Sequence, residues 1–206
     1  MHIIANHCHP HSTNFRYNLY NLTMDDQVLS VRELQKDDIQ SIIDYWSKHD
    51  AAYYESMGVD VNKLPQEDQL SEMLLDQIAT SVENKKAYCV IWECNGQAIG
   101  HCNLNPVSFG EEAHMHLHMW DGGTRNRGMG TTLLKLTLPF FFKKLKLKTL
   151  YCQPYAINDA PNKTLLRVGF EFEKEYVTIP GSLNFEQPVK RWLLTRERFN
   201  ELVKEL

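Results

Sequence analysis

The fold is decided by the stretch Arg125-Asn126-Arg127-Gly128-Met129-Gly130-Thr131, which lies between a strand pattern and an apolar, helix-like run. Glycines there let the backbone approach a ligand closely, and the free N–H groups at a helix start favour an anion such as a pyrophosphate. The spacing is neither the GxGxxG of dinucleotide folds nor the GxxxxGK[ST] of nucleotide-binding loops. We therefore expect an anion-binding loop of another class.

Patterns on both sides of this stretch predict a single mixed sheet. The predicted strands are residues 28–33, 87–94, 97–105, 113–120, 147–153, 169–179 and 189–195. The predicted helices run from Asp37 to about His49, from Pro65 to Val82, from Gly130 to about Lys144 with a kink at Pro139, over 159–168, and from an N-cap at Thr195 onward. Residues 51–64 are predicted as a loop. The order βααβββαβαββ indicates an α+β fold with one mostly antiparallel sheet of about seven strands, flanked by helices.

Length and composition favour one globular domain. The 206 residues are 43% hydrophobic and 23% charged, which suits a real core and disfavours disorder. Residues 1–27, with a histidine cluster at 7–11, are predicted as an N-terminal arm, and residues 28–206 as the domain. No apolar run approaches the roughly 20 residues of a bilayer span, and no secretory signal is recognisable, so we expect a cytoplasmic protein without a membrane partner.

Charge and cysteine usage exclude several other classes. The net charge of −4 argues mildly against nucleic acid as the main partner. Residues 1–120 hold 7 basic and 17 acidic side chains, and residues 121–206 hold 15 basic and 9 acidic side chains. This asymmetry suggests that the first part is suited to a cation and the second to an anion. An uneven solvated surface explains the same numbers. The five cysteines form no CxxC pair, so neither a disulfide framework nor a zinc knuckle is implied.

Three further features carry a resemblance to a known family. Residues 125–130 have the form [Q/R]-x-x-G-x-[G/A], and with this order of elements the chain resembles the GNAT superfamily of N-acetyltransferases from residue 28 to about 199. Asn158-Asp159-Ala160-Pro161 and Arg167-Val168-Gly169-Phe170 are similar to the N-x-x-S and K-x-G-F strings of the ribosomal-protein N-terminal acetyltransferase branch, with Pro161 in place of the usual serine. The resemblance implies a GNAT fold, splayed between the fourth and fifth predicted strands.

Acetyl-CoA is the cofactor that the resemblance implies. Its pantetheine arm would lie in the splay, in contact with Met119 and Trp120, and Asn158 would contact the CoA arm. The residues implied at the pyrophosphate are Arg125, Asn126, Arg127, Gly128, Met129, Gly130 and Thr131.

A strand with three histidines holds the candidate base. His114, His116 and His118 share one face because side chains alternate with period 2. The outer two lie about 13 Å apart, too far to ligate one zinc ion at about 2.0–2.1 Å, so no metal site is predicted, although a pair with a third ligand elsewhere stays open. A half-exposed polar face is the other interpretation. Counted back from Arg125, His114 and His116 stand where related enzymes have their base, and we expect one of them to take the amine's proton.

Residues 50–76 are expected to face the amine acceptor. They contain Asp50, Glu55, Asp60, Glu67, Asp68, Glu72 and Asp76 against Lys63 alone, which would attract a cationic small-molecule or peptide amine. Solvated helix faces account for many of these acids equally well. The predicted substrate-binding residues are Trp46, Tyr53, Tyr54, Glu55 and Met57.

The sequence thus predicts an acetyl-CoA-dependent N-acetyltransferase that moves an acetyl group to a primary amine by direct attack in a ternary complex. The alternative is a GNAT-shaped protein that binds CoA or an amine without turnover. It is supported by Leu165, which stands where many members have a tyrosine that reprotonates the departing thiolate. A metal-dependent hydrolase built on His114 and His116 is a third hypothesis. The acceptor's identity, the general acid and a homodimer are left open.

Overall fold

Eight strands form one sheet in the computed structural model, which describes residues 21–24, 27–120 and 128–204. The strands are Asn21–Met24 (β1), Gln27–Glu33 (β2), Tyr88–Cys94 (β3), Gln97–Ser108 (β4), Glu112–Met119 (β5), Thr149–Cys152 (β6), Glu171–Thr178 (β7) and Gln187–Thr195 (β8). Their order across the sheet is β1-β2-β3-β4-β5-β6-β8-β7. Every neighbouring pair is antiparallel except β5 and β6, which are parallel. This confirms the predicted α+β class, and β1 adds an eighth strand within the stretch predicted as an arm.

Helices cover both faces of the sheet. They are Ile39–Ser47 (α1), Ala51–Ser56 (α2), Glu67–Ala79 (α3), Met129–Pro139 (α4), Asp159–Val168 (α5) and Arg196–Lys204 (α6). On one face, α4, α5 and α6 bury an apolar core that includes Leu133, Leu165 and Phe199. On the other face, α1 and α3 pack against β3 through Ile42, Leu74 and neighbouring residues. The three histidines of β5 lie on this second face.

The segment predicted as a loop at 51–64 contains a helix, which corrects the prediction. Asp50 caps α2, because its carboxylate accepts a hydrogen bond from the Tyr53 N–H at 2.8 Å. A 3₁₀ turn at Val61–Lys63 is capped by Asp60 in the same way. The sequence pattern leaves open whether these two aspartates attract a cation or lie on a solvated surface, and it does not predict their capping role.

Two predicted helix boundaries also differ from the structure. Helix α3 ends at Ala79, and Val82 belongs to a separate 3₁₀ turn. Helix α4 ends at Pro139 and continues as a π-helical turn, Phe140–Lys144. Pro139 therefore marks a change of helix type at the place where a kink was predicted.

Strands β5 and β6 separate partway along their length. They pair from Glu112 with Thr149 to Met115 with Cys152, and β6 then ends while β5 continues to Met119. The Cys152 thiol donates a hydrogen bond to the Met115 carbonyl at 3.1 Å, where the pairing stops. The predicted splay is thus present and opens beyond this pair.

In the parts of the chain that the structure describes, no helix combines the length and the apolar composition needed to cross a membrane.

Candidate functional site

A cavity of about 350 Å³ lies at the splay, and its lining includes His116 and His118 from one face of β5 and Met115 and Leu117 from the other. This volume falls at the lower end of the range for small-molecule sites. The lining residues are Trp46, Met57, Val59, Asn103, Asn105, Pro106, Met115, His116, Leu117, His118, Cys152, Gln153, Pro154, Tyr155, Asn158, Pro161, Pro180, Gly181, Ser182, Leu183, Asn184 and Gln187. The cavity therefore joins the histidine face to the gap between β5 and β6.

The loop before β8 closes one side of the cavity against the segment that follows α2. The Gly58 carbonyl accepts hydrogen bonds from the side-chain amides of Asn184 at 2.8 Å and Gln187 at 3.0 Å. Gly58 has a φ of +81°, and a Cβ there would lie 1.9 Å from Gln187 Oε1. Only glycine fits this contact, so Gly58 fixes how the two segments meet.

His116 is a cavity-lining histidine with a defined tautomer. Its Nε2 lies 3.3 Å from the backbone oxygen of Asn105, and a carbonyl oxygen can only accept, so Nε2 carries the proton. The Nδ1 atom then holds the lone pair. Burial lowers the pKa of His116 below its ordinary value of 6.5, which keeps the ring neutral at physiological pH. His116 can therefore accept a proton.

His114, the other predicted base, lies outside the cavity lining. Its Nδ1 lies 3.1 Å from Gln153 Nε2, and Gln153 Oε1 in turn accepts a hydrogen bond from the Tyr176 hydroxyl. Burial and the nearby positive charge of Arg191 lower its pKa. The Gln153 amide already donates to the Nδ1 lone pair of His114. A series of side-chain hydrogen bonds therefore holds this histidine in place.

His118 lines the cavity and belongs to an aromatic cluster. Its ring stacks on His101 with centroids 4.6 Å apart, and its Nδ1 lies 3.3 Å from the Tyr45 hydroxyl. Burial lowers the pKa of His118 well below 6.5 and that of His101 to about 3. His101 Nδ1 accepts a hydrogen bond from the Trp120 indole at 2.7 Å. Both rings are therefore neutral and held by neighbours.

Asn103 has an oxygen for which the described residues provide no hydrogen-bond partner. Its Oδ1 atom is buried, although the residue lines the cavity. On the neighbouring strand, Asn103 pairs in register with His116. A polar atom buried in this way costs free energy unless a ligand or water satisfies it.

The described part of the predicted cofactor loop leaves room for a ligand. Gly128 has a φ of +76° and precedes α4, and a Cβ built at Gly128 or Gly130 would meet no atom of the described residues within 4 Å. Thr131 lies in the first turn of α4. Met129 is buried in the core, so only its backbone can face a ligand. The predicted Arg125, Asn126 and Arg127 lie outside the described residues, as does the histidine cluster at 7–11.

Other predicted cofactor residues are placed in different ways. Asn158 lines the cavity and is the N-cap residue of α5. The amide of Asn162 holds this turn, because it donates to the Tyr155 carbonyl at 3.1 Å and the Asn158 carbonyl at 2.8 Å. Met119 packs against the core, and the Trp120 side chain contacts the opposite sheet face. Neither of these two side chains lines the cavity.

Of the five predicted substrate-binding residues, two line the cavity. Trp46 and Met57 lie in its wall. Tyr53 instead stacks on His49, and Tyr54 is buried and donates a hydrogen bond to the Tyr45 carbonyl. Glu55 is exposed and outside the lining. The cavity wall thus contains two of the predicted substrate-binding side chains but not the predicted carboxylate of Glu55.

Sequence reasoning missed several residues of the site, including Asn103, Asn105 and the segment 180–187. One signal was available for the first two: His101, Asn103 and Asn105 alternate on β4, opposite the histidines of β5. A second polar face beside the first indicates a polar cleft. The segment 180–187 is distant in sequence and carries no pattern that places it there.

Three buried cysteines, Cys89, Cys102 and Cys152, have unreactive thiols. Burial raises the pKa of Cys152 to about 12, and it also raises the pKa values of Cys89 and Cys102, which lie outside the cavity lining. These thiols stay protonated at neutral pH and are poor nucleophiles. Within the described residues, no group of three or more histidine, cysteine or acidic side chains is placed to hold a metal ion.

Comparison with known proteins identifies a family. Residues 29–171 match the family model described as an acetyltransferase (GNAT) domain. A search of curated proteins gave no match.

Solved structures share the fold at low sequence identity. The ribosomal L7/L12 alpha-N-protein acetyltransferase RimL, solved with coenzyme A, has a TM-score of 0.67 at 13% identity, covering 82% of this chain and 95% of that one. The spermidine N-acetyltransferase of Vibrio cholerae, solved with CoA and spermine, has a TM-score of 0.68 at 18% identity, covering 84% and 98%. The aminoglycoside acetyltransferase AAC(6')-Ib, solved with coenzyme A, has a TM-score of 0.63 at 14% identity, covering 84% and 98%.

Proposed function

This chain belongs to the GNAT acetyltransferase family, and from that premise we propose that it transfers the acetyl group of acetyl-CoA to a primary amine by direct attack within a ternary complex. The observation that carries the proposal is His116. Its neutral ring lies in a cavity that opens into the gap between β5 and β6, and its protonated Nε2 is committed to Asn105.

The residues present suit acetyl-CoA. Beyond Met115, β5 continues without β6 as a partner, which leaves a strand edge beside the cavity. Gly128 and Gly130 leave open space at the start of α4, where free N–H groups favour phosphate. When bound, acetyl-CoA supplies a thioester whose C–S bond breaks as the amine nitrogen forms the new C–N bond.

We assign the deprotonation step to His116. A primary ammonium has no lone pair and must lose a proton before it can attack. His116 Nδ1 accepts that proton, and the Asn105 carbonyl keeps hold of Nε2–H and favours the charged ring. The resulting positive charge is lost when the proton returns to solvent or to the leaving sulfur.

The state of the cysteines supports direct attack over an acetyl-cysteine intermediate. Cys152 is the cysteine in the cavity wall, and its thiol is buried, protonated and hydrogen-bonded to the Met115 carbonyl. A covalent relay would need a thiolate there. The amine is therefore the nucleophile in this proposal.

A second candidate function, binding of CoA or an amine without turnover, is favoured by Leu165. This residue is fully buried in the core, so the position that often holds a tyrosine cannot deliver a proton here. Tyr155 lines the cavity and offers a phenol that could replace it.

A thiol-release screen separates the two functions. Purified protein with acetyl-CoA is offered a peptide with a free α-amine, spermidine, an aminoglycoside and a simple alkylamine. The enzyme proposal expects free thiol in equal amount to acetylated amine with at least one class. Acetyl-CoA binding in calorimetry without thiol release from any of them favours the binding protein.

A further inference from the structure

The cavity that holds His116 contains no charged side chain among its described lining residues. Its ionisable members are two histidines, Cys152 and Tyr155. Burial lowers the pKa of His116 and His118 and raises that of Cys152, so these three are neutral at physiological pH. An acceptor would therefore enter a neutral environment.

The acidic residues that could have neutralised a cationic acceptor lie elsewhere. Asp50 caps α2, and Asp60 caps the following turn and lies 3.7 Å from Lys63. Glu55 is exposed, and none of the three lines the cavity. An ammonium group that enters this cavity would give up its hydrating water without meeting a carboxylate of opposite charge, which is unfavourable.

A single ammonium group can nevertheless be accommodated beside His116. The buried Asn103 Oδ1 atom has no partner among the described residues, and Asn103 stands opposite His116 in the β4–β5 register. An amide oxygen and an imidazole lone pair both accept hydrogen bonds. Together they offer two acceptors to a single –NH₃⁺ group, which then loses its proton to His116.

Most of the remaining described lining residues are apolar, and the polar ones, which include Asn105, Gln153, Asn184 and Gln187, are uncharged. Trp46, Met57, Val59 and Leu117 contribute apolar side chains to the lining. These surfaces gain from contact with hydrocarbon and offer no partner for a second charge.

We infer that the acceptor is a primary amine on an uncharged, largely apolar body, with its nitrogen bound by Asn103 Oδ1 beside His116. The inference rests on the proposed acetyl transfer. It differs from the cationic acceptor that the composition of residues 50–76 suggested, because it excludes a second ammonium from the cavity.

A matched pair of acceptors tests the substrate class. Hexylamine and hexamethylenediamine share the same carbon chain and reactive end, and differ in one further ammonium group. At saturating acetyl-CoA we expect kcat/KM to favour hexylamine by about tenfold or more, since the diamine must desolvate its second charge. Equal values, or a preference for the diamine, would overturn the inference.

Substitution of Asn103 tests the anchor. Asn103→Leu removes the acceptor oxygen at similar size, and KM for hexylamine should rise about ten- to a hundredfold, because a hydrogen bond to a charged group is lost. Asn103→Asp retains the oxygen and should not raise KM. Asn200→Leu, on the exposed face of α6, is the matched control. If the leucine variant does not fold, Asn103→Ala takes its place.

Binding measurements separate anchoring from a general structural effect. Calorimetry should show unchanged acetyl-CoA affinity in Asn103→Leu and weaker binding of hexylamine to the CoA-bound protein. Unchanged amine binding in that variant contradicts the role of Asn103. If both amines are acetylated and the diamine is preferred, only this inference fails. If neither amine reacts but another class in the thiol-release screen is acetylated, this inference fails and the proposed function stands. If acetyl-CoA binds and no amine class is acetylated, the proposed function fails with it.

Discussion

Three histidines on one strand differ in their chemistry because their neighbours differ. His116 donates to a carbonyl and keeps a lone pair at Nδ1, whereas the lone pair of His114 faces the Gln153 amide. His118 is stacked on His101 and contacts the Tyr45 hydroxyl. Alternation along the strand places all three on one face, but only the cross-strand contacts distinguish a base from its neighbours.

The open space at Gly128 leads to a first prediction. Gly128→Val should lower acetyl-CoA affinity by at least about tenfold, because the branched side chain occupies the space left for the phosphates. The substitution also strains a backbone with a φ of +76°, at a cost of about 1–3 kcal/mol in folding. Calorimetry on the folded variant measures the affinity.

Gly110→Val is the control for that strain. Gly110 has a φ of +77° and also has no described atom within 4 Å of a built Cβ, but it lies in the turn between β4 and β5 and not at the start of α4. It should lose similar stability and keep its acetyl-CoA affinity. If both variants bind acetyl-CoA normally, the phosphates do not lie at Gly128.

At the scale of elements, a buried pair joins α4 to the sheet. The Trp92 indole N–H donates to Thr137 Oγ1 at 2.8 Å, and that hydroxyl donates to the Leu133 carbonyl. Thr137→Val preserves shape but leaves the indole without an acceptor. We expect the free energy of unfolding to fall by about 1–3 kcal/mol in chemical denaturation.

Thr164→Val is the matched control for Thr137→Val. Thr164 makes the same hydroxyl bond to the carbonyl four residues earlier, on α5, without an indole partner. The free energy of unfolding of this variant should fall by no more than about 0.5 kcal/mol. Equal losses in the two variants would show that the Trp92 bond contributes nothing to α4 packing.

Sequence patterns predicted the elements better than the site. Period-2 alternation located β5, and helix periodicity located α1 and α3, since each buries one face against its neighbours. Helix α2 was missed because a six-residue helix has too few turns to show a period, and its signal was the single cap Asp50. Short helices of this kind depend on tertiary contacts.

The candidate site was predicted where one strand supplies it and missed where distant segments meet. His116 follows from the alternation along one strand and Asn158 from the family resemblance, and both line the cavity. Asn103 can be recognised as a site residue only when the pairing of β4 with β5 is known. Gln187 can be recognised only when the contact of β8 with the segment after α2 is known. Burial and hydrogen-bond partners are properties of the fold, so residue type alone cannot reveal them.

For the whole molecule, buried neutral histidines make stability depend on pH. The pKa of His101 is about 3 in the folded protein against 6.5 for an ordinary histidine, and that of His118 is also well below 6.5. The unfolded chain therefore binds more protons below pH 6.5. The free energy of unfolding should fall as pH drops from 6.5 towards 3, by roughly 1.4 kcal/mol per pH unit for each such histidine.

His101→Gln tests this pH dependence. Glutamine does not titrate, and its amide oxygen can still accept from the Trp120 indole. Between about pH 7 and about pH 5, the loss of unfolding free energy should be smaller in the variant by roughly 2 kcal/mol. An identical loss in both proteins would show that His101 does not contribute.

The central claim, that His116 takes the proton of the attacking amine, is tested most directly by the pH dependence of kcat for an acceptor of high pKa. In the unmodified protein we expect a plateau with an acid limb below about pH 6.5, because burial lowers the pKa of His116. In His116→Ala, kcat near neutrality should fall by about 10²–10⁴ and rise steadily with pH as the amine deprotonates itself, while acetyl-CoA affinity stays unchanged. Profiles that superimpose would contradict the account.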